Sequence, residues 1–561
     1  MLDVPRRLVG GDVQATGRPR ARVWTADKTA YIAYAATACV AAVFAVQVFL
    51  LPLSTYLSVL NIDDSFYYFQ IARNFAAGRF STFDGVHLTN GYHPLWAVVL
   101  TPVFAVIRDP ILAIRVVKMV ELAFLSAGAL LIMASGRKAG WPALLSLAIP
   151  ISLIAMQVLY RGMETSIQVL LCAGLLYGLV QLFARHDDRA PVLGIGLICC
   201  LLPWARLETL TISLGAMLVV TTHAIWIDRG RRGVVLLSWA LLAISVAGYF
   251  IYNNFVFGSA VPISGSIKNY WSSIRFSEVG GYDFLRNAKL YYWSYRRPLT
   301  ECAGILVVAA GPWLLPAYRR PLHAAQHAID LFIAILVAAF VARLAYASAF
   351  VNIAYDNSYY YVPYYLVHAL TIAYLVSRAL LLIDALARGS RDLSRPIYLA
   401  ASAAALLVAG LQSHPWSLPD RWRQEGSQPS WLMSSYDGAN WMNRNLPQAA
   451  VIGSPDSGAL GYFSTRRVIN LDGLVNETGF FSAMKNQSVE RWIRAAGITH
   501  LANAVVADTS DGCAFIARGS AQTRPYLGSC TLLYDGLRFR ESWQGSRDQM
   551  QFRVYAYAPK T

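Results

Sequence analysis

Residues 61–96 read NIDDSFYYFQIARNFAAGRFSTFDGVHLTNGYHPLW, and two adjacent acids, Asp63 and Asp64, stand directly after the first long apolar run of the chain. Charge is costly near a bilayer and is seldom kept there without a use. An amphipathic run follows the pair, then a His-Pro-Leu-Trp edge at 93–96. On a helix, adjacent residues point about 100° apart, so the two carboxylates need not share one task. Acids at a helix start also complement its dipole, which is the plain structural alternative. A carboxylate pair fixed at a membrane surface is nonetheless the strongest candidate reaction site in the chain.

The rest of the composition says what kind of surface this is. Of 561 residues, 56% are hydrophobic and only 14% charged, and mean hydropathy is +0.42. Soluble domains carry roughly 25% charged residues. The expected class is a polytopic α-helical membrane protein. The net charge of +16 does not point to nucleic acid, because the basic residues sit in short clusters between apolar runs, as topology determinants do.

Apolar runs at 29–52, 111–135, 141–160, 166–184, 191–205, 209–227, 234–252, 301–317, 327–350, 362–386 and 396–412 predict about eleven transmembrane helices. Basic clusters after residues 136, 184, 228, 318 and 387, with the basic tail 1–28, alternate correctly if all are cytoplasmic. Residues 95–107 are short, contain Pro102 and are read as an interfacial helix. The 53–110 loop, the turns RGMET (161–165) and ARLET (205–209), the 253–300 loop and the turn 351–361 then share the non-cytoplasmic face.

The expected organisation is a tail (1–28), a transmembrane region (29–412), a Pro-, Ser-, Trp- and Arg-rich linker (413–430) and an extracytoplasmic α/β domain (431–561). Strands are expected at 450–454, 468–471 and around 500–506, with two or three more within 531–558. Asp456 and Asp472 follow strands, where ligands often bind, though turn chemistry explains them too. Cys513 and Cys530, alone in the polar C-terminal region, could form a disulfide there.

Glu164 in RGMET and Arg206 and Glu208 in ARLET put further charges around the same face as Asp63 and Asp64. Lys268, in FGSAVPISGSIK, is the leading candidate for a phosphate contact, with Arg296 and Arg297 as alternatives. Arg73 could pair with an acid or a lipid phosphate. Tyr67, Tyr355 and the Tyr359–Tyr361 run, including Tyr360, could line a sugar or lipid groove, or belong to an aromatic belt. His93 and His368 show no metal-ligand pattern, and His93 is kept as a substrate contact. No cofactor motif is present in the sequence.

The segment DDSFYYFQIARNFAAG…TNGYHPLW resembles the first extracytoplasmic loop of GT-C glycosyltransferases. GMET, ARLET, FGSAVPISGSIK and DSGALGYFSTRRVINLDGLVN follow in the order of that family, and the last three look like its arabinofuranosyltransferase branch of mycobacterial cell-wall synthesis. The resemblance implies a bacterial plasma-membrane enzyme with a polyprenyl-phosphate sugar as donor and a glycan, lipid or protein hydroxyl as acceptor. It implies Asp63 as catalytic base, with Asp64 as the fallback. Many relatives have Arg-Pro-Glu where this chain has Arg206-Leu207-Glu208, so the role of Glu208 stays open. The expected chemistry is a single displacement with inversion, Glu164 orienting the acceptor or Asp63, and Lys268 or a nearby Arg holding phosphate. The competing readings are a carrier or flippase for lipid-linked sugars, and a noncatalytic glycan-binding scaffold.

Overall fold

The computed structural model describes residues 26–559, apart from 185–187, 279, 315–323, 387–390, 414–417, 507–513, 517–522, 526–527 and 544–545. Among the described residues, seven helices are long and apolar enough to cross a membrane: Tyr31–Phe49, Pro110–Lys138, Thr165–Ala184, Leu207–Trp226, Arg229–Phe257, Ala324–Phe350 and Ser358–Ile383. Shorter apolar helices span Pro94–Val106, Ala143–Ala155, Ala190–Ala205 and Pro396–Leu411. The chain is a multi-pass membrane protein. Leu236, Ile244 and Phe255 are 70%, 68% and 83% exposed, an outward face that water would penalise and lipid accepts.

Local chemistry sets the ends of these helices. Asp109 accepts a hydrogen bond from the Leu112 amide at 2.6 Å and Pro110 takes the first turn, so the helix Pro110–Lys138 starts there. Gly258, at φ +69°, stops the helix ending at Phe257, and a short turn leads into the helix Ile263–Glu278, which carries Lys268 where the sequence suggested a loop. The expected span at 301–317 is part of a longer helix, Phe284–Leu314, whose first half lies in what the sequence suggested was a loop.

The C-terminal part is built on a five-stranded mixed sheet in the order β2-β1-β3-β7-β6. Its strands are β1 (Val451–Ser454), β2 (Arg467–Asn470), β3 (His500–Val506), β6 (Gly528–Trp543) and β7 (Ser546–Pro559), while β4 (Ala514–Ile516) and β5 (Thr523–Pro525) form a separate ribbon. β1 runs parallel to β2, with Ile452 opposite Val468, and parallel to β3, with Ile452 opposite His500. β7 turns the sheet antiparallel, with Leu501 opposite Tyr555. Parallel pairing was expected; the antiparallel half comes from the two long C-terminal strands, which fold back on each other as a ribbon. Cys530 lies in β6. Cys513 lies outside the described residues, and so does the expected pairing.

Part of the stretch expected to be a linker is helical. Residues Leu418–Gly426 form a helix that buries Leu418 and Trp422. Trp422 packs edge-on against Phe44 of the first span at 5.9 Å and against Tyr160 at 6.1 Å. Its apolar face outweighs the polar composition that suggested a spacer.

Candidate functional site

The helix Asp63–Ala76 opens with both acids in its first turn, where the dipole favours them. It buries Phe66 and Phe69 against the short helix Gly458–Phe463, with Phe66 5.5 Å from the Tyr462 ring and 5.7 Å from Phe463. That packing fixes which way each acid points. Asp63 turns to the C-terminal part, where Oδ2 accepts from the Gly458 amide and Oδ1 from the Ala459 amide, each at 2.9 Å. Asp64 turns into a cavity instead.

This cavity offers about 430 Å³ of empty space out to its mouth, and Asp64, Tyr67, His93, Arg206, Lys268 and Tyr360 all line it. Tyr68, Tyr92, Tyr359, Met163, Ser264, Gly91 and Leu474 complete the wall. Five segments far apart in sequence therefore meet: the first loop, the RGMET turn through Met163, the ARLET turn through Arg206, the 264–268 stretch and the 359–360 turn. Leu474 closes the side made by the C-terminal part.

The TNGYHPLW stretch explains how they meet. Asn90 donates to Asn253 Oδ1 at 2.9 Å and to the carbonyls of Ser259 and Val261, each at 3.1 Å. Its Oδ1 accepts from the Ile263 amide at 3.0 Å. One side chain thus fixes the loop that delivers Lys268. Gly91 approaches so closely that a Cβ would lie 1.7 Å from the Leu474 carbonyl oxygen. Trp96 donates to the Gly162 carbonyl at 3.0 Å, tying the stretch to the RGMET turn.

The electrostatics are nearly balanced. Tyr359 donates to Asp64 Oδ2 at 2.6 Å, and Lys268 Nζ stands 3.9 Å from the same oxygen. Lys268 also donates to the Tyr360 hydroxyl. Burial pulls the Lys268 amine down, but Tyr360 and Asp64 more than offset it, so its affinity for the proton is raised and it stays a cation. Arg206 pairs with buried Glu164 and, at 3.0 Å, with Glu208. Arg343 reaches Asp356 at 3.1 Å and Glu208 at 3.7 Å. The Tyr360 ring is flanked by Arg206 at 4.4 Å, Arg343 at 4.8 Å and Lys268 at 5.1 Å, a stack in which the π face tempers three cations. Both arginines are held closely by acids, whereas the acid nearest Lys268 among the described residues is Asp64, at 3.9 Å. It is the cation most ready to meet an incoming anion.

Burial pushes the Asp63 carboxyl up to about 6 against its two backbone hydrogen bonds, with the charges of Asp64 and Asp472 adding to the rise. Asp472, behind the cavity, is likewise pushed to about 6 by burial; it accepts from Tyr67 at 3.1 Å and from the Asp456 amide at 3.1 Å. Burial lowers His93, leaving a neutral imidazole. His93 Nδ1 is itself buried and has no hydrogen-bond partner among the described residues.

Of the residues expected from sequence, Asp64, Lys268, Arg206, His93, Tyr67 and Tyr360 share the cavity wall. Glu164 and Glu208 stand behind Arg206 as its counter-ions. Asp63 is turned away onto Gly458 and Ala459. Arg73 is also elsewhere: it donates to the Tyr462 carbonyl at 2.8 Å and lies 4.1 Å over the Tyr462 ring, because its helix face packs on the C-terminal part. Arg296 lies 4.8 Å over Trp293, and neither it nor Arg297 lines the cavity. Tyr355 packs on Trp271 at 5.6 Å. His368 bonds Glu301 at 2.8 Å. Sequence reasoning missed Arg343, although a lone arginine inside a 27-residue apolar helix is itself a signal. Among the described residues no group of three or more His, Cys, Asp or Glu is arranged to hold a metal.

No curated protein matches the chain. A family model described as a domain of unknown function (DUF8728) matches residues 422–552. Among solved structures, the chain is similar to the Archaeoglobus fulgidus oligosaccharyltransferase in complex with zinc and sulfate, at 14% identity and TM-score 0.50, over 83% of this chain and 67% of that one. It is also similar to ArnT from Cupriavidus metallidurans bound to undecaprenyl phosphate, at 12% identity and TM-score 0.43, over 92% of this chain and 97% of that one. For the same protein in the apo state the values are 11% and 0.48, over 94% and 98%. At these identities the likeness concerns the fold alone, which the chain shares with the Archaeoglobus fulgidus oligosaccharyltransferase.

Proposed function

We propose that the protein is an integral-membrane glycosyltransferase that moves a sugar from a polyprenyl-phosphate carrier to a hydroxyl of a cell-envelope glycan, lipid or protein. The observation that carries this reading is the pairing of Asp64 with Lys268 across a tyrosine-lined cavity beside the membrane helices. A carboxylate can take the acceptor proton as the hydroxyl attacks the anomeric carbon. Lys268 can neutralise the phosphate as the C1–O bond breaks and its charge grows. Attack and departure take place on opposite faces of the anomeric carbon, so a single displacement inverts it; Asp64 and Lys268, 3.9 Å apart, part as the sugar enters between them.

In this reading Asp64 takes the role of base that the sequence resemblance assigned to Asp63, since Asp64 is the acid on the cavity wall. Asp63 positions it through the Gly458 and Ala459 amides. Glu164 and Glu208 hold Arg206 against Tyr360. Tyr67, Tyr360 and His93 offer ring faces and hydrogen bonds to the sugar. The distribution of basic clusters supports a cytoplasmic N-terminus and an extracytoplasmic cavity and C-terminal part. ARLET, FGSAVPISGSIK and the DSGALGYF stretch support the arabinofuranosyltransferase-like branch within the fold.

The test is product formation by the purified chain in lipid nanodiscs with a panel of polyprenyl-phosphate sugars. The expected outcome is release of polyprenyl phosphate with a glycosylated acceptor of inverted anomeric configuration. Movement of the donor across a vesicle membrane unchanged would make the protein a carrier. Binding of glycan without turnover would make it a scaffold.

A further inference from the structure

Lys118 and Glu121 are fully buried, three residues apart in the helix Pro110–Lys138, and paired at 2.6 Å. Neither lines the cavity, and a buried ion pair is weak support for stability alone, because desolvation offsets its attraction. What the pair touches is more informative. Lys118 Nζ donates to the Leu60 carbonyl at 2.9 Å and to the Tyr160 carbonyl at 2.6 Å. Glu121 Oε1 accepts from the Gly162 amide at 2.8 Å. Leu60 lies four residues before Asp64, and Gly162 lies two before Glu164, the counter-ion of Arg206.

The two segments so held are in hard contact with each other. Gly162 has φ +86°, and a Cβ on it would lie 2.4 Å from the Ser65 Cβ and 2.9 Å from Asn61 Oδ1. On the RGMET side the contact is made by bare backbone, which packs directly against the Ser65 and Asn61 side chains of the acid-bearing segment. The ion pair fixes that backbone from below, at three groups that would otherwise be unpaired in an apolar interior.

We infer that Lys118 and Glu121 are positioning residues of the transfer site, a buried staple that sets Asp64 against Arg206 and its counter-ion Glu164. The inference rests on the glycosyltransferase reading for its catalytic consequence, and on the geometry alone for its structural one. Each residue acts through backbone and touches no substrate.

The experiment compares Lys118→Met, Glu121→Leu and the double variant in the full chain in nanodiscs. It reads kcat and donor KM with a polyprenyl-phosphate sugar, melting temperature, and amide exchange across residues 60–65 and 160–165. A misplacement of about 1 Å costs on the order of 10²-fold in rate. We expect each single variant to lose about 10²-fold in kcat with donor KM nearly unchanged. The double variant carries no unpaired buried charge and melts above either single. It nevertheless keeps the low kcat and the faster exchange in both segments, because the three backbone groups stay unpaired. A purely structural pair would give the opposite: kcat and exchange returning with the melting temperature in the double variant, which overturns the inference. If the wild type turns over no donor, the glycosyltransferase reading fails, and the exchange of the two segments still decides the staple.

Discussion

Replacing Asp64 by Asn and, separately, Asp63 by Asn distinguishes the two neighbouring acids. At Asp64 the substitution keeps size and leaves an amide oxygen to accept from Tyr359, now at 2.6 Å, so the cavity wall stays in place. It removes the proton acceptor. General-base catalysis contributes about 10²–10⁴-fold, or about 3–5 kcal/mol of barrier, and kcat should fall by that factor with donor KM little changed. At Asp63, Asn keeps one acceptor for the Gly458 or Ala459 amide and loses the other. An unpaired buried amide costs about 1–3 kcal/mol, offset by removing a carboxylate whose ionisation burial already penalises. The melting temperature should therefore shift by a few degrees, and kcat should stay within about tenfold of wild type, a barrier change under about 1.4 kcal/mol. The assay follows polyprenyl phosphate released by purified protein in nanodiscs, with melting measured on the same samples. Full transfer by Asp64→Asn, with loss of transfer in a normally folded Asp63→Asn, would refute the assignment and return the base to Asp63.

Lys268→Met should lower kcat by about 10²–10³-fold, as loss of one preorganised group facing developing negative charge does, and single-turnover kinetics at saturating donor check it. Gly458→Ala places a Cβ 2.1 Å from the Asp63 carbonyl oxygen; overpacking of this kind costs about 1–3 kcal/mol, read as a lower melting temperature together with reduced transfer. Trp422→Ala, in the stretch that composition suggested was a spacer, should cost about 3–5 kcal/mol of stability, whereas a true linker would tolerate it. Asp63 holds its proton to about 6, above its ordinary value of 3.8, so the folded state binds a proton that the unfolded chain releases. Its contribution is complete below about pH 4 and is lost as pH rises through about 6, by no more than about 3 kcal/mol; melting temperature should fall across that window, and the fall should be shallower in Asp63→Asn.

The membrane class is legible from sequence because it rests on where charge sits relative to apolar runs, and the same reading makes the first loop the candidate site. Asp63 and Asp64 announce a site by standing after such a run. Which of them faces the cavity is not legible, because the deciding partner of Asp63 is the Gly458 amide, 395 residues away. Arg73 illustrates the same limit: its helix position is clear, and its face is set by Tyr462, 389 residues on. Trp422 belongs to the Pro-, Ser-, Trp- and Arg-rich composition that reads as a linker, while its burial depends on Phe44 and Tyr160, far away in sequence. Arg343 and the Lys118–Glu121 pair stand out as ionisable residues inside apolar helices, but the groups they hold, Asp356 for Arg343 and the Leu60 and Tyr160 carbonyls for Lys118, come from other segments that the sequence does not connect to them.

The two acids also bear on the choice between enzyme and carrier. A carrier must open its central cavity to alternate sides in every cycle, so its walls must separate readily. Here the wall facing the C-terminal part is closed by contacts that leave no room for a methyl group: Gly91 against the Leu474 carbonyl and Gly458 against the Asp63 backbone. Asp63 adds two backbone hydrogen bonds across the same seam, and Tyr67 adds a third to Asp472. Such a seam suits a site that must hold its groups still while charge moves from an acceptor hydroxyl to a departing phosphate. The adjacency of Asp63 and Asp64 then has a physical purpose. One carboxylate fixes the first turn of the helix to the C-terminal part, and the other, about 100° around that turn, is thereby held with little freedom over the cavity. An acid placed alone on this loop would lack the partner that keeps it there.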